Sequence, residues 1–239
     1  MVVKDYKKII GVSYLIILFF AILIIYFNQW GNFFSPEYLF NNKENLLELK
    51  NKYLFETSVV FFFFIIIWTL LLGFSIPLFI LTAFFFNVLY GTILLLIGRT
   101  VGSTLLYIIA NIYFKKSVKN YFEQKNLIFK KVIKNIKKNE LGLLILTRFI
   151  TAPSQVIDLA PVLINAKISN FIIARFFGSL IPYLIIINMV SNFFEFYQEN
   201  DILNINLFQS IEFLIAITSF ILFLFVGKII KKKYFSNIN

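Results

Sequence analysis

The chain has 239 residues, of which 59% are hydrophobic and 15% are charged, whereas an ordinary soluble domain has roughly 45–50% apolar and about 25% charged residues. This composition excludes a soluble globular protein and indicates one integral membrane domain. There is no cysteine and no histidine, so disulfides, thiolate nucleophiles and Cys/His metal or haem sites are excluded, and we expect no cofactor or metal. The net charge is +11. Because the basic residues lie in short segments between apolar stretches, we expect a membrane surface, and no nucleic acid, as the partner.

Residues 1–55 predict an anchor helix followed by a surface connector. Residues 9–27 are uncharged and could cross about 30 Å of hydrocarbon as a helix. A secretory signal is the alternative, but the run exceeds the roughly 7–15 apolar residues of such a signal, and no small cleavage-site residues follow. The polar stretch 28–55 predicts a short helix along the membrane surface.

Residues 56–114 predict the first half of a membrane core. No charged residue occurs from 57 to 98, which is long enough for two spans. Gly73 and Pro77 lie near the middle of this run, and proline breaks a helix because it lacks the N–H donor. A re-entrant hairpin and two complete helices both remain open, because the arm before the break is short. Small residues later in this half predict close helix packing, namely Gly91, Gly98, Gly102 and Ser103.

Residues 115–140 predict a basic cytoplasmic loop. Nine lysines and a single glutamate occur from 115 to 138. Apolar residues recur among the lysines at roughly helical spacing, so an amphipathic helix on an anionic membrane face and a solvated loop are both compatible with the pattern. The excess of lysine places this segment in the cytoplasm.

Residues 141–194 predict the second half of the core, and residues 195–239 an outer loop, a last transmembrane helix and a basic tail. The loop 195–206 carries three acidic and no basic residues, and the tail begins at Lys228. Both termini are therefore expected in the cytoplasm.

The two halves predict an inverted repeat. Gly178 and Pro182 repeat the spacing of Gly73 and Pro77, and Pro153 and Pro161 precede them. Because the halves should have opposite topology, their broken helices can meet near the midplane and form a substrate site. The expected fold is an all-α polytopic bundle with an inverted repeat of two re-entrant helical hairpins, formed by Gly73, Pro77, Pro153, Pro161, Gly178 and Pro182.

Arg148 and Asp158 are the main candidate site residues. A charge at the centre of a membrane helix costs roughly 2.5–3.5 kcal/mol on insertion scales, so each needs a partner. A straight helix would separate them by about 15 Å, whereas a turn at Pro153 would let them pair or face one polar cavity. A purely structural ion pair is the alternative. Arg99 is a further candidate unless it snorkels to an interface, as we expect for Lys167 and Arg175.

No enzyme is predicted. The sequence has no paired-carboxylate site, no phosphate-binding loop with Lys-Ser/Thr, no Gly-x-Ser-x-Gly elbow and no acid-rich metal motif.

The order and spacing of several short motifs resemble the DedA family, also called VTT-domain or SNARE-associated Golgi proteins, and particularly its Tvp-like branch. The resemblance runs from about Gly73 to Asn192. The residues that carry it are Pro77, the stretches 82–91 and 98–103, the stretch 147–153, Ile168, Ser169, Phe171 and the stretch 178–182.

The resemblance implies two facing re-entrant hairpins and movement of lipid head groups across the bilayer, as phospholipid scrambling or recycling of an isoprenoid phosphate in the bacterial inner membrane. It also implies that Arg148 contacts lipid phosphate. From the residues themselves we expect Asp158 to orient Arg148 or to relay a proton, and Arg99 to be a further substrate-binding residue. Thr151 replaces the proline expected three residues after the family arginine, and the glycine expected near Asn165 is missing. Proton-coupled members carry acidic residues around the first hairpin, whereas none occurs here between Glu56 and Glu123.

Two other classes of function remain open. A small-solute or ion transporter could use a similar repeat and would not move lipids. A non-transporting scaffold for membrane assembly would need the prolines only for its structure. A homo-oligomer is compatible with each class.

Overall fold

The computed structural model describes residues 11–14, 16–17, 36–117, 120, 139–150, 153–199, 211–230 and 232. Most of the predicted anchor helix, almost all of the lysine-rich segment, the predicted outer loop and most of the basic tail lie outside the described residues. In the described part, the chain is helical with connecting turns and contains no strand.

The described part of the chain forms a succession of nine α-helices. Their bounds are α1 Pro36–Asn41, α2 Lys43–Lys52, α3 Leu54–Leu70, α4 Ser75–Phe85, α5 Val88–Ile109, α6 Glu140–Thr147, α7 Ser154–Ile164, α8 Ile168–Glu199 and α9 Ile211–Ile230. A π-helical turn, Ala110–Phe114, extends α5.

Among the described residues, two stretches are long and apolar enough to cross a membrane, Val88–Ser117 and Ile168–Phe194. Shorter apolar helices flank them. Among these, α4 and α7 have 11 residues each, so each extends about 16 Å, which is roughly half of the hydrocarbon thickness. The prediction of an all-α membrane protein is confirmed, and the inverted re-entrant repeat remains a prediction.

The first break separates α3 from α4. Leu72 has a φ of 57°, a left-handed conformation that an L-residue rarely adopts. Trp68 Nε1 donates a hydrogen bond to the carbonyl of Phe74 over 2.8 Å, and a Cβ at Gly73 would lie 2.3 Å from that nitrogen. Only glycine fits there, and Pro77 lies in the first turn of α4, where its missing N–H has no helical partner to lose.

The second break separates α6 from α7, and Pro153 is the N-cap residue of α7. The other end of α7 is closed by Asn165, which has φ 52° and ψ 51°. Asparagine tolerates this left-handed conformation better than other non-glycine residues. Asn165 therefore occupies the turn for which the family resemblance implies a glycine.

Pro161, Gly178 and Pro182 lie inside helices and do not break them, which corrects the expectation of chain breaks at these positions. Pro161 lies inside α7, and both Gly178 and Pro182 lie inside the continuous 32-residue α8. The break fails to form because α8 packs against α4, α5, α6 and α9, and such packing compensates for a single missing backbone hydrogen bond. Gly178 allows close approach of α6, since a Cβ there would lie 3.2 Å from Ile145 Cα.

The glycines of α5 lie where helices approach closely. A Cβ at Gly91 would lie 2.7 Å from Thr82 Cγ2, and one at Gly98 would lie 3.0 Å from Ile65 Cγ2. At Gly102 it would lie 2.9 Å from Thr69 Cβ. The face of α5 that carries Gly98 and Gly102 therefore packs closely against α3, because neither glycine places a side chain between the two helices.

The last helix covers the second break. A Cβ at Gly227 of α9 would lie 2.2 Å from the carbonyl oxygen of Phe149, so the helix approaches the backbone of the break directly. The rings of Phe149 and Phe223 lie 6.3 Å apart. Thus α9 closes one side of the region between α6 and α7.

We predict that Gly102→Val lowers the free energy of unfolding by about 1–3 kcal/mol, because its side chain would overlap α3. Val101→Leu is the matched control, since it adds volume one residue away at a position that is 38% exposed. Thermal unfolding in detergent, followed by tryptophan fluorescence, measures both variants. Equal melting temperatures for the two would contradict the packing described here.

Candidate functional site

A buried carboxylate lies at the centre of the candidate site. Asp158, on α7, is 1% exposed. Its Oδ1 accepts a hydrogen bond from Arg148 Nη1 over 2.6 Å, and its Oδ2 accepts one from Ser103 Oγ over 3.0 Å. The structure thus brings Arg148 and Asp158 together across the break at Pro153, and α5 contributes Ser103 from the first half.

Two more arginines approach the same carboxylate. Arg99 Nη2 lies 3.7 Å from Oδ2, and Arg175 Nη1 lies 3.6 Å from Oδ1. Arg99 also donates a hydrogen bond to Ser75 Oγ at the start of α4. Three positive charges against one negative charge leave these four side chains with a formal charge of +2.

The expectation that Arg175 snorkels to an interface is wrong, and the same alternative for Arg99 is excluded. Their exposed fractions are 3% and 2%, so both lie inside the protein, where Asp158 attracts them. Lys167 is exposed. One signal could have identified Arg175, because Ser179 and Tyr183 follow at four-residue intervals and form a polar stripe on an apolar helix.

Aromatic and hydroxyl groups hold the guanidinium groups in place. Arg175 Nη2 donates to the hydroxyl of Tyr183 over 2.8 Å, and its Nη1 donates to Ser179 Oγ over 3.4 Å. The Tyr183 ring centroid lies 6.0 Å from Arg99 Cζ and 5.7 Å from Arg175 Cζ. Arg148 Cζ lies 5.7 Å from the ring of Phe171. Each arginine therefore has a cation–π contact in addition to its polar contacts.

A cavity of about 440 Å³ lies beside this cluster. Its walls combine apolar side chains such as Phe79 and Ile186 with a smaller set of polar ones, namely Ser75, Arg148, Ser154, Gln155, Arg175, Ser179 and Tyr183. Asp158 and Arg99 do not line it. The charges at the cavity wall are therefore positive, and the compensating carboxylate lies behind them.

Both breaks open toward this cavity. Ser75 and Ser154, the first residues of α4 and α7, line it. The first N–H groups of a helix have no helical acceptor and carry partial positive charge, which favours a nearby anion. Gln155 Nε2 donates to the carbonyl of Leu72 over 2.9 Å, so one hydrogen bond joins the two breaks across the two halves.

Several arginine donors have no acceptor among the described residues. Arg99 Nε, Arg148 Nε, Arg148 Nη2 and Arg175 Nε are buried and have no hydrogen-bond partner in the described part of the chain. Each unsatisfied buried donor costs about 1–3 kcal/mol. This surplus of donors, together with the charge of +2, suits an anionic ligand. The described residues contain no group of three or more acidic side chains that could hold a metal ion.

A family model, the VTT domain, matches residues 73–192, which is half of the chain. The chain belongs to the VTT-domain family. This domain is that of the DedA and SNARE-associated Golgi proteins, and the four charged side chains of the cluster all lie within the match. No curated protein and no solved structure matches the chain. Membership of the Tvp-like branch remains a prediction for this VTT-domain protein.

We predict that Asp158→Asn destabilises this VTT-domain protein by about 3–5 kcal/mol, because it leaves three buried guanidinium groups without their carboxylate. Ser103→Ala removes one hydrogen bond to the same carboxylate and should cost about 1 kcal/mol. Glu44→Gln, at an exposed acid, is the control and should change stability by less than about 0.5 kcal/mol. The melting temperature in detergent ranks the three variants, and native-like melting of Asp158→Asn would contradict the central role of this carboxylate.

Proposed function

We propose that this protein moves anionic lipid head groups across the bilayer, carrying either phospholipids or an isoprenoid phosphate. The observation that carries the proposal is the cavity whose charged wall residues are Arg148 and Arg175, beside unsatisfied arginine donors. Membership of the VTT-domain family supports a membrane transporter or a lipid-related role. No step of the proposal requires an enzyme reaction, a cofactor or a metal.

The proposed mechanism lowers the cost of taking a phosphate out of water. A bare phosphate in hydrocarbon loses its hydration without replacement. In the cavity, Arg148 would supply charge-assisted hydrogen bonds, which arginine forms well with phosphate oxygens, and the N-termini of α4 and α7 would add partial positive charge. Asp158 orients Arg148 through the 2.6 Å contact, and Arg99 supports the same carboxylate. The acyl chains would remain in the surrounding lipid.

The proposed membrane arrangement follows from the short helices. Because α4 and α7 are too short to cross the hydrocarbon, we propose that each is one arm of a re-entrant hairpin. Each hairpin enters the membrane and leaves on the same side, and the two hairpins enter from opposite sides. The lysine-rich segment 115–140 and both termini would face the cytoplasm of a bacterial inner membrane. We also propose that the chain belongs to the Tvp-like branch of the family.

A small-anion transporter is the second candidate. One observation favours it. The cavity volume of about 440 Å³ lies within the range of roughly 300–1,000 Å³ that small-molecule sites occupy. Uptake of a solute into vesicles without lipid movement would favour this candidate. A non-transporting scaffold would show neither solute uptake nor lipid movement.

We predict that Arg148→Ala slows the movement of fluorescent phospholipid or isoprenoid phosphate between leaflets of protein-containing liposomes by at least about tenfold, because a charge-assisted hydrogen bond contributes about 1.5–3 kcal/mol. The variant should still fold, since Arg99 and Arg175 continue to neutralise Asp158. Lys228→Ala, which removes an exposed charge of α9, is the control and should move lipid at the native rate. Equal rates for native protein and Arg148→Ala, at equal reconstituted amounts, would refute the role of Arg148.

A further inference from the structure

Arg175 contributes charge to the cavity that Asp158 does not fully neutralise. The shortest distance between Arg175 and the carboxylate joins Nη1 to Oδ1 of Asp158 and is 3.6 Å. An N–H···O hydrogen bond is usually about 2.7–3.2 Å long. Arg148 makes the short contact of 2.6 Å to the same oxygen. The strong hydrogen bond of the carboxylate therefore goes to Arg148, and the polar contacts of Arg175 go to Tyr183 and Ser179.

Arg148 and Arg175 approach one another from different helices. Both contact Oδ1 of Asp158 and both line the cavity, so their guanidinium groups are close enough to bind a single small anion. Each also has a buried Nε without a partner in the described part of the chain. Two planar groups with unused donors suit a ligand that has several acceptor oxygens in different directions.

We propose that Arg148 and Arg175 together clamp one tetrahedral oxyanion in the cavity, and that Tyr183 positions Arg175 for this contact. The ligand class is a phosphate group, carried by a lipid or free in solution. The inference rests on the proposed function, because it assigns a second binding residue to the same cavity.

Tyr183 can hold Arg175 in two ways. Its hydroxyl accepts a hydrogen bond from Arg175 Nη2, and its ring lies beside the same guanidinium. Because the hydroxyl accepts this bond, its own proton remains available as a donor, and Tyr183 lines the cavity. Tyr183→Phe would retain the ring and remove the hydroxyl, which separates the polar contribution from the packing.

The test measures binding of two probes to the purified full chain in a neutral detergent. Dodecyl phosphate represents a lipid phosphate and inorganic phosphate represents a free one, and titration calorimetry gives the dissociation constant of each. We expect Arg175→Lys and Tyr183→Phe each to weaken binding of the preferred probe about tenfold. The first replaces the guanidinium group, and the second removes the hydroxyl that holds it in place. Preference for dodecyl phosphate would identify a lipid source and preference for inorganic phosphate a free source, and either supports the clamp.

Tyr107→Phe is the matched control. Tyr107 is also buried on a long helix, and its hydroxyl donates to the carbonyl of Ala166 over 2.6 Å, but it does not line the cavity. Both tyrosine variants should lower the melting temperature of the ligand-free protein, whereas only Tyr183→Phe should change the dissociation constant, with Tyr107→Phe staying within about twofold of native.

The outcomes separate this inference from the proposed function. If Arg148→Ala weakens binding and both Arg175→Lys and Tyr183→Phe bind like the native chain, the clamp is refuted and the anion site at Arg148 stands. If the native chain binds neither probe, the anion site itself is refuted, and the clamp with it.

Discussion

The site depends on one buried carboxylate that attracts three buried guanidinium groups. Asp158 receives contacts from Arg99 on α5, Arg148 at the end of α6 and Arg175 on α8, so a single side chain connects helices from both halves. In an apolar environment an unpaired charge is costly, and this cost ties each arginine to the carboxylate. Asp158 cannot neutralise all three guanidinium groups, so the cluster keeps a formal charge of +2, and Arg148 and Arg175 make the charged part of the cavity wall positive.

The breaks position this cluster because they bring helix ends into the apolar interior. Leu72 takes a left-handed conformation at the first break, and Pro153 begins the helix after the second. Freed backbone groups inside a membrane protein need partners or a wet cavity. Trp68 and Gln155 supply two of these partners from side chains, and the N-termini of α4 and α7 face the cavity.

The pair of Arg148 and Asp158 could be predicted from the sequence. Two charges in one apolar stretch each need a partner, and the proline between them allows the chain to turn so that they meet. Sequence reasoning misplaced Arg175, because its approach to Asp158 depends on how α8 packs beside α7, which the sequence of α8 alone does not determine. It also misassigned Pro182, since tertiary packing decides whether a proline breaks a long helix. The turn at Asn165 shows that a missing glycine need not change the backbone when asparagine takes its place.

The segment recognised as the VTT domain is smaller than the unit that folds around the cavity. The match ends at residue 192, yet Phe223 of α9 forms part of the cavity wall, and Gly227 lies against the Phe149 carbonyl. At the other end, α3 precedes residue 73 and supplies the surface on which Gly98 and Gly102 pack. An excised fragment bounded by the domain match would expose the Phe149 carbonyl and the glycine face of α5 to lipid or detergent. The folded unit therefore extends beyond the family match on both sides.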